Sequence, residues 1–254
     1  MSIRITSPTP KSPALVREAR SLCARSLGFA LVAIPVPVLG GAVGTVPALT
    51  GLALFAGLLL AVERGLAAHH PHPRLGAANR ITLVRAAMAC LIAARAIEPA
   101  PLGLPERWLL AAIAGAALML DGADGWAARR QGLTSAFGAR FDMEVDAFAI
   151  LVLAVMVVKA HAVPYWVLAI GAMRYLYLAV ALAFPLLRRP LPPQSIADRR
   201  RKTIAVIQGV GLTIALVPAT APNWAAIICA TALVLLAYSF AADIAILLST
   251  RPHR

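Results

Sequence analysis

From Thr203 to Ala242 the sequence runs for forty residues without an aspartate, glutamate, lysine or arginine, and a second such run separates Arg25 from Glu63. A helix needs about 20 apolar residues to cross the hydrocarbon core of a bilayer. Each run exceeds that length, so the chain is expected to be a polytopic membrane protein. Overall composition agrees. Of the 254 residues, 60% are apolar and 14% charged, against about a half and about a quarter in soluble domains. Eight apolar segments can be drawn: Leu27–Leu39, Val46–Val62, Ile81–Ile97, Trp108–Gly125, Phe141–Val158, Tyr165–Leu187, Ile204–Val217 and Trp224–Leu248. Proline clusters at 99–101, 164, 190–193 and 222 separate the later ones. Pro35 and Pro37 make the first a short or kinked span.

The net charge of +13 does not point to nucleic acid, because the basic residues sit between apolar segments. With the N-terminus inside, 20 of the 24 Lys and Arg residues fall on the cytoplasmic side, as the positive-inside rule expects. Arg95, Arg107 and Lys159 fall outside, and Arg174 lies within a span. Both termini are then cytoplasmic. Residues 1–42 also fit the outline of a cleaved signal peptide, a reading that leaves the later spans oriented as before. Cys23, Cys90 and Cys229 are far apart and form neither a disulfide framework nor a zinc site. His69, His70 and His72 lie in a Pro- and Arg-containing stretch that reads as a solvated linker.

Five of the eleven acidic residues fall between Asp121 and Asp146. Carboxylates in or beside membrane spans are costly without a partner and mark functional sites. Asp121 and Asp124 stand at i,i+3, and Asp142 and Asp146 at i,i+4, so each pair shares a helix face. A short turn between the helices would point four carboxylates at one spot. Oxygen-only ligands suit Mg²⁺ or Mn²⁺, and two such ions held by carboxylates are a recurrent solution to phosphoryl chemistry. Gly125, Ala127, Ala128 and Gly138 leave the nearby backbone bare for a phosphate or another helix to approach.

In full, the segment reads Asp121-x2-Asp124-Gly125-x2-Ala128-Arg129-x8-Gly138-x3-Asp142-x3-Asp146. It resembles the CDP-alcohol phosphatidyltransferase motif at all eight fixed positions. A second stretch, Asn79-x2-Thr82-x2-Arg85, is similar to the pattern that often opens these domains, with Ala78 where many members have proline. The resemblance implies an all-α catalytic core of six transmembrane helices, here residues 79–254. Ahead of it come a cytoplasmic tail (1–26), two further transmembrane segments (27–62) and a linker (63–78). It implies that Asp121, Asp124 and Asp142 bind metal, and that Asp146 completes the second metal site and acts as the base. It places Arg129 near the nucleotide phosphates and Asn79, Thr82, Gly125, Ala128 and Gly138 around the CDP-lipid. The expected reaction transfers a phosphatidyl group from CDP-diacylglycerol to a small polar alcohol and releases CMP. Members often form homodimers, and the setting expected is a bacterial inner membrane with a cytoplasmic active site.

Arg174 lies too deep in its span to reach water easily. It reads either as an ion pair with Asp243 or another acid, or as an anion contact for a phosphorylated acceptor. Arg140 is a second acceptor candidate, although Glu144 at i,i+4 offers it a helical partner. Lys202 is a third, at the end of a basic stretch from Arg188 that suits anionic lipid headgroups. Glycerol 3-phosphate, inositol phosphate, inositol and serine are all compatible acceptors, and Arg174 tilts toward a phosphorylated one. A prenyltransferase would carry its aspartate motifs farther apart than the 21 positions between Asp121 and Asp142. A cation transporter would need acidic groups across the bilayer rather than at one face.

Overall fold

A computed structural model of the chain describes residues 44–69, 76–131, 135–184 and 195–249, together with Arg17, Ser21 and Ala24. For residues 61, 63–69, 123–131, 136 and 195–196 it describes the backbone alone. The first expected span, 27–39, lies outside the described residues, as do His70 and His72. Seven α-helices and no strand are found among the described residues: α1 (Thr45–His69), α2 (Gly76–Ile97), α3 (Leu104–Gln131), α4 (Ala136–Lys159), α5 (Leu168–Ala183), α6 (Ser195–Leu216) and α7 (Pro222–Ser249). A 3₁₀ turn, Tyr165–Val167, leads into α5. The all-α class is therefore the observed one.

Each helix coincides with one of the last seven apolar segments, and most overrun it. Hydropathy marks only the part of a helix that lipid would cover, so polar turns at either end go unseen. The largest difference is at α6. The basic stretch before residue 203 reads as loop, yet Ser195–Lys202 are the first turns of a 22-residue helix. Local chemistry explains the ends. Pro105 and Pro222 occupy first turns, where a missing N–H costs nothing. Glu106 lies in the first turn of α3 and accepts the Gly103 N–H at 3.3 Å. At the end of α4, the Ala162 N–H bonds to the Val157 carbonyl and the His161 N–H to that of Val158. This is the Schellman pairing, and it requires the left-handed φ of 52° seen at His161.

The chain divides into two compact units, residues 1–99 with 119–145, and residues 100–118 with 146–254. In the first unit α1 lies along α2, the helix that carries Asn79, Thr82 and Arg85. The approach is close because Gly51 has no side chain: a Cβ there would stand 2.6 Å from Cβ of Ala94 and 3.3 Å from the Cys90 carbonyl oxygen. The carboxylate of Glu98, just past the end of α2, accepts the Gly44 N–H at 2.6 Å, one residue before α1 begins. A helix for which the sequence offers no role is thus fitted against the one that opens the family pattern.

In the second unit α6 and α7 form the most extensive pair, and α7 also meets α5. Tyr165–Ala183 and Pro222–Ser249 are long and apolar enough to cross a bilayer, yet only 22% of each is buried in protein. Leu176, Leu182, Val234 and Leu248 are exposed. A soluble core helix of this composition would be covered, whereas lipid solvates such a surface directly. Trp108, Tyr165, Trp166 and Trp224 are also exposed, each within the first turns of its helix. Amphipathic aromatics of this kind favour the headgroup level of a membrane.

Candidate active site

The site is built at the end of α3 and the start of α4. Asp121 stands on α3, which stays helical through Gln131. Ser135 caps α4: its Oγ accepts the Gly138 N–H at 3.0 Å, satisfying one of the donors every helix start leaves open. Asp142 projects from the second turn of that helix. Asp146 lies one turn farther on, at the first residue of the second unit but on the same continuous helix. Asp121, Asp142 and Asp146 each offer a carboxylate oxygen, and these three atoms lie within 4.8 Å of one another. All three residues are half-buried.

Two carboxylates at that separation repel by about 3 kcal/mol at an effective dielectric of about 20, so the arrangement calls for a cation. One is supplied by the protein. Arg85 on α2, buried at 5% exposure, places Nη2 2.9 Å from Asp121 Oδ1 and Nη1 2.6 Å from Asp142 Oδ1. A single guanidinium therefore joins the two aspartates. Divalent ions also fit the donor set. It is all oxygen, as Mg²⁺ and Mn²⁺ prefer, and Mg–O distances of about 2.0–2.1 Å bring ligand oxygens to about 3–4 Å from each other. That is within a side-chain rotation of the spacing found. Asp121, Asp142 and Asp146 are the residues that would hold the ion.

Of the other site residues expected from sequence, Asn79 and Thr82 are buried on α2. Thr82 Oγ1 donates back to the Ala78 carbonyl at 3.1 Å. Asn79 lies against the start of α4, where a Cβ on Gly138 would meet its Oδ1 at 2.8 Å. The bare backbone at Gly138 thus admits a side chain from α2. Asp124, Gly125, Ala128 and Arg129 lie on α3, with side chains outside the described residues. Arg140 is exposed in the second turn of α4. Arg174, half-buried on α5, and Lys202, exposed on α6, belong to the second unit.

Asp243, the partner considered for Arg174, takes part in a cluster within the second unit. Its Oδ1 pairs with Arg200 and its Oδ2 with Arg201 at 3.3 Å. Arg201 also pairs with Asp198, and the Arg200 guanidinium lies over the Tyr238 ring at 5.9 Å. Burial works against the Arg201 cation, but the hydrogen bond to Asp198 and the nearby Asp243 carboxylate outweigh it and raise its pKa above the usual arginine value.

Arg85 is the functional candidate that sequence reasoning left out of the site. The signal was present, since Arg85 is the third fixed position of the Asn79-x2-Thr82-x2-Arg85 pattern. By position it also fits the cytoplasmic basic residues of the positive-inside pattern, and nothing in the sequence tells which aspartates a buried arginine will face.

The family model for CDP-alcohol phosphatidyltransferase matches residues 75–239, and the chain belongs to that family. It is thus a transferase that moves a phosphatidyl group from a CDP-alcohol to an alcohol acceptor, within a family of membrane enzymes. No curated protein and no solved structure shows a significant similarity to the chain.

Proposed function

We propose that the chain catalyses divalent-metal-dependent transfer of a phosphatidyl group from CDP-diacylglycerol to a small polar alcohol, with release of CMP. The observation that carries this reading is the convergence of Asp121, Asp142 and Asp146 within the family's own motif. In it, Asp121, Asp124, Asp142 and Asp146 hold two Mg²⁺ or Mn²⁺ ions. Bound there, the ions supply positive charge for the pyrophosphate and for the charge developing on the leaving CMP oxygen. Asp146 takes the proton from the acceptor hydroxyl. The acceptor oxygen bonds to the lipid-linked phosphorus as the bond from that phosphorus to CMP breaks. Arg129, with Asn79, Thr82, Gly125, Ala128 and Gly138, contacts the CDP-lipid.

Arg174, with Arg140 and Lys202, is proposed to receive an anionic acceptor, and glycerol 3-phosphate is the first candidate. An arginine inside a lipid-facing helix is retained for a partner or an anion, which favours a phosphorylated acceptor over inositol or serine. The orientation proposed has both termini and the catalytic aspartates on the cytoplasmic side of a bacterial inner membrane, in a homodimer. Purified protein given CDP-diacylglycerol and a panel of acceptors, scored by CMP release, tests the reading. Glycerol 3-phosphate should support turnover. Release with inositol or serine alone would reject the phosphorylated acceptor, and no release with any acceptor would reject the donor.

A further inference from the structure

We infer that Arg85 is a positioning residue, whose guanidinium sets the spacing between Asp121 and Asp142 and so shapes the divalent-cation site. The inference rests on the metal-binding reading given above. One planar group spans two helices, with Nη2 2.9 Å from Asp121 Oδ1 on α3 and Nη1 2.6 Å from Asp142 Oδ1 on α4. Its own side chain is 6% exposed, whereas those of the aspartates are 27% and 36% exposed. The contact to each carboxylate thus comes from a group more deeply buried than the carboxylate itself. A guanidinium donates from two nitrogens in a rigid fork, so it fixes both the separation and the plane of its acceptors. The ammonium of lysine is a point charge and imposes no such geometry.

Three roles for Arg85 give different results when it is replaced. A group that merely neutralised the aspartates would be replaced by lysine without loss. A group that competed with the cation would tighten metal binding when removed. A positioning group weakens metal binding on either replacement, because hydrogen bonds behind the ligands typically carry about 10–100-fold in metal affinity.

Mn²⁺ binding to the purified full-length protein in detergent, followed by loss of the free-Mn²⁺ electron paramagnetic resonance signal, separates these cases. The variants are Arg85→Lys and Arg85→Gln, with Asp121→Asn as a ligand control and thermal unfolding without metal as the check on folding. Both Arg85 variants should bind Mn²⁺ about 10–100-fold more weakly while remaining folded. Wild-type affinity in folded Arg85→Lys, or tighter binding in folded Arg85→Gln, overturns the proposal and leaves the metal site standing. If Arg85→Gln does not fold, Arg85→Lys decides alone. Failure of both to fold makes Arg85 a structural ion pair and also overturns the proposal. A wild-type protein that binds no Mn²⁺, or Asp121→Asn that binds like wild type, contradicts the metal reading itself.

Discussion

Asp146 stands one turn beyond Asp142 on α4, near enough to share a cation with it and with Asp121. Asp146→Asn keeps the size and one carbonyl oxygen but removes the basicity. Turnover is expected to fall by about 10²–10⁴-fold, the usual contribution of general-base catalysis, while affinity for the CDP-lipid is largely kept. Near-normal turnover would remove Asp146 as the base. Gly138 offers a second test at this scale. An added methyl group would press on Asn79 Oδ1, 2.8 Å away, and turn that side chain from its place. Gly138→Ala should raise the CDP-lipid KM about three- to tenfold, the equivalent of one hydrogen bond. Adding Gly138→Ala to Asn79→Ala should then cause little further loss. An additive loss in the double variant would separate Gly138 from Asn79.

Among the elements, the joint of α6 and α7 is held at its charged end by Asp243, which pairs with both Arg200 and Arg201. Asp243→Asn should lower stability by about 1.5–3 kcal/mol, as expected for hydrogen bonds to a charged group, read as a lower midpoint of thermal unfolding in detergent. An unchanged midpoint would mean that the arginines find other partners. The same helix shows what the sequence could and could not tell. Seven helices were legible because apolar length is written directly into the chain. The first turns of α6 were not, because Asp198 to Lys202 carry the charges of a loop, and Asp243, which pairs with Arg200 and Arg201, lies on α7, more than forty residues away. The site divides in the same way. Asp121, Asp142 and Asp146 were legible because their spacing puts them on helix faces. The Arg85 bridge depends on how α2 lies beside α3 and α4, and no spacing within one segment encodes that.

For the whole molecule, the orientation proposed above rests on the distribution of Lys and Arg along the sequence. Starting from a variant without the native cysteines, Pro101→Cys and Ala221→Cys should react with a membrane-impermeant maleimide added to intact cells. Arg199→Cys should react only after the membrane is opened. The reverse pattern would invert the topology and put the aspartates on the outer face. In the proposed reaction the clustered aspartates hold a divalent ion for the transfer of a phosphatidyl group. The most direct measurement is CMP release by purified protein supplied with CDP-diacylglycerol and glycerol 3-phosphate, first stripped of metal and then given Mg²⁺ or Mn²⁺. No turnover is expected after stripping, with recovery on adding either ion and no recovery in Asp121→Asn. Sustained CMP release in excess chelator, or full recovery in Asp121→Asn, would contradict the proposed reaction.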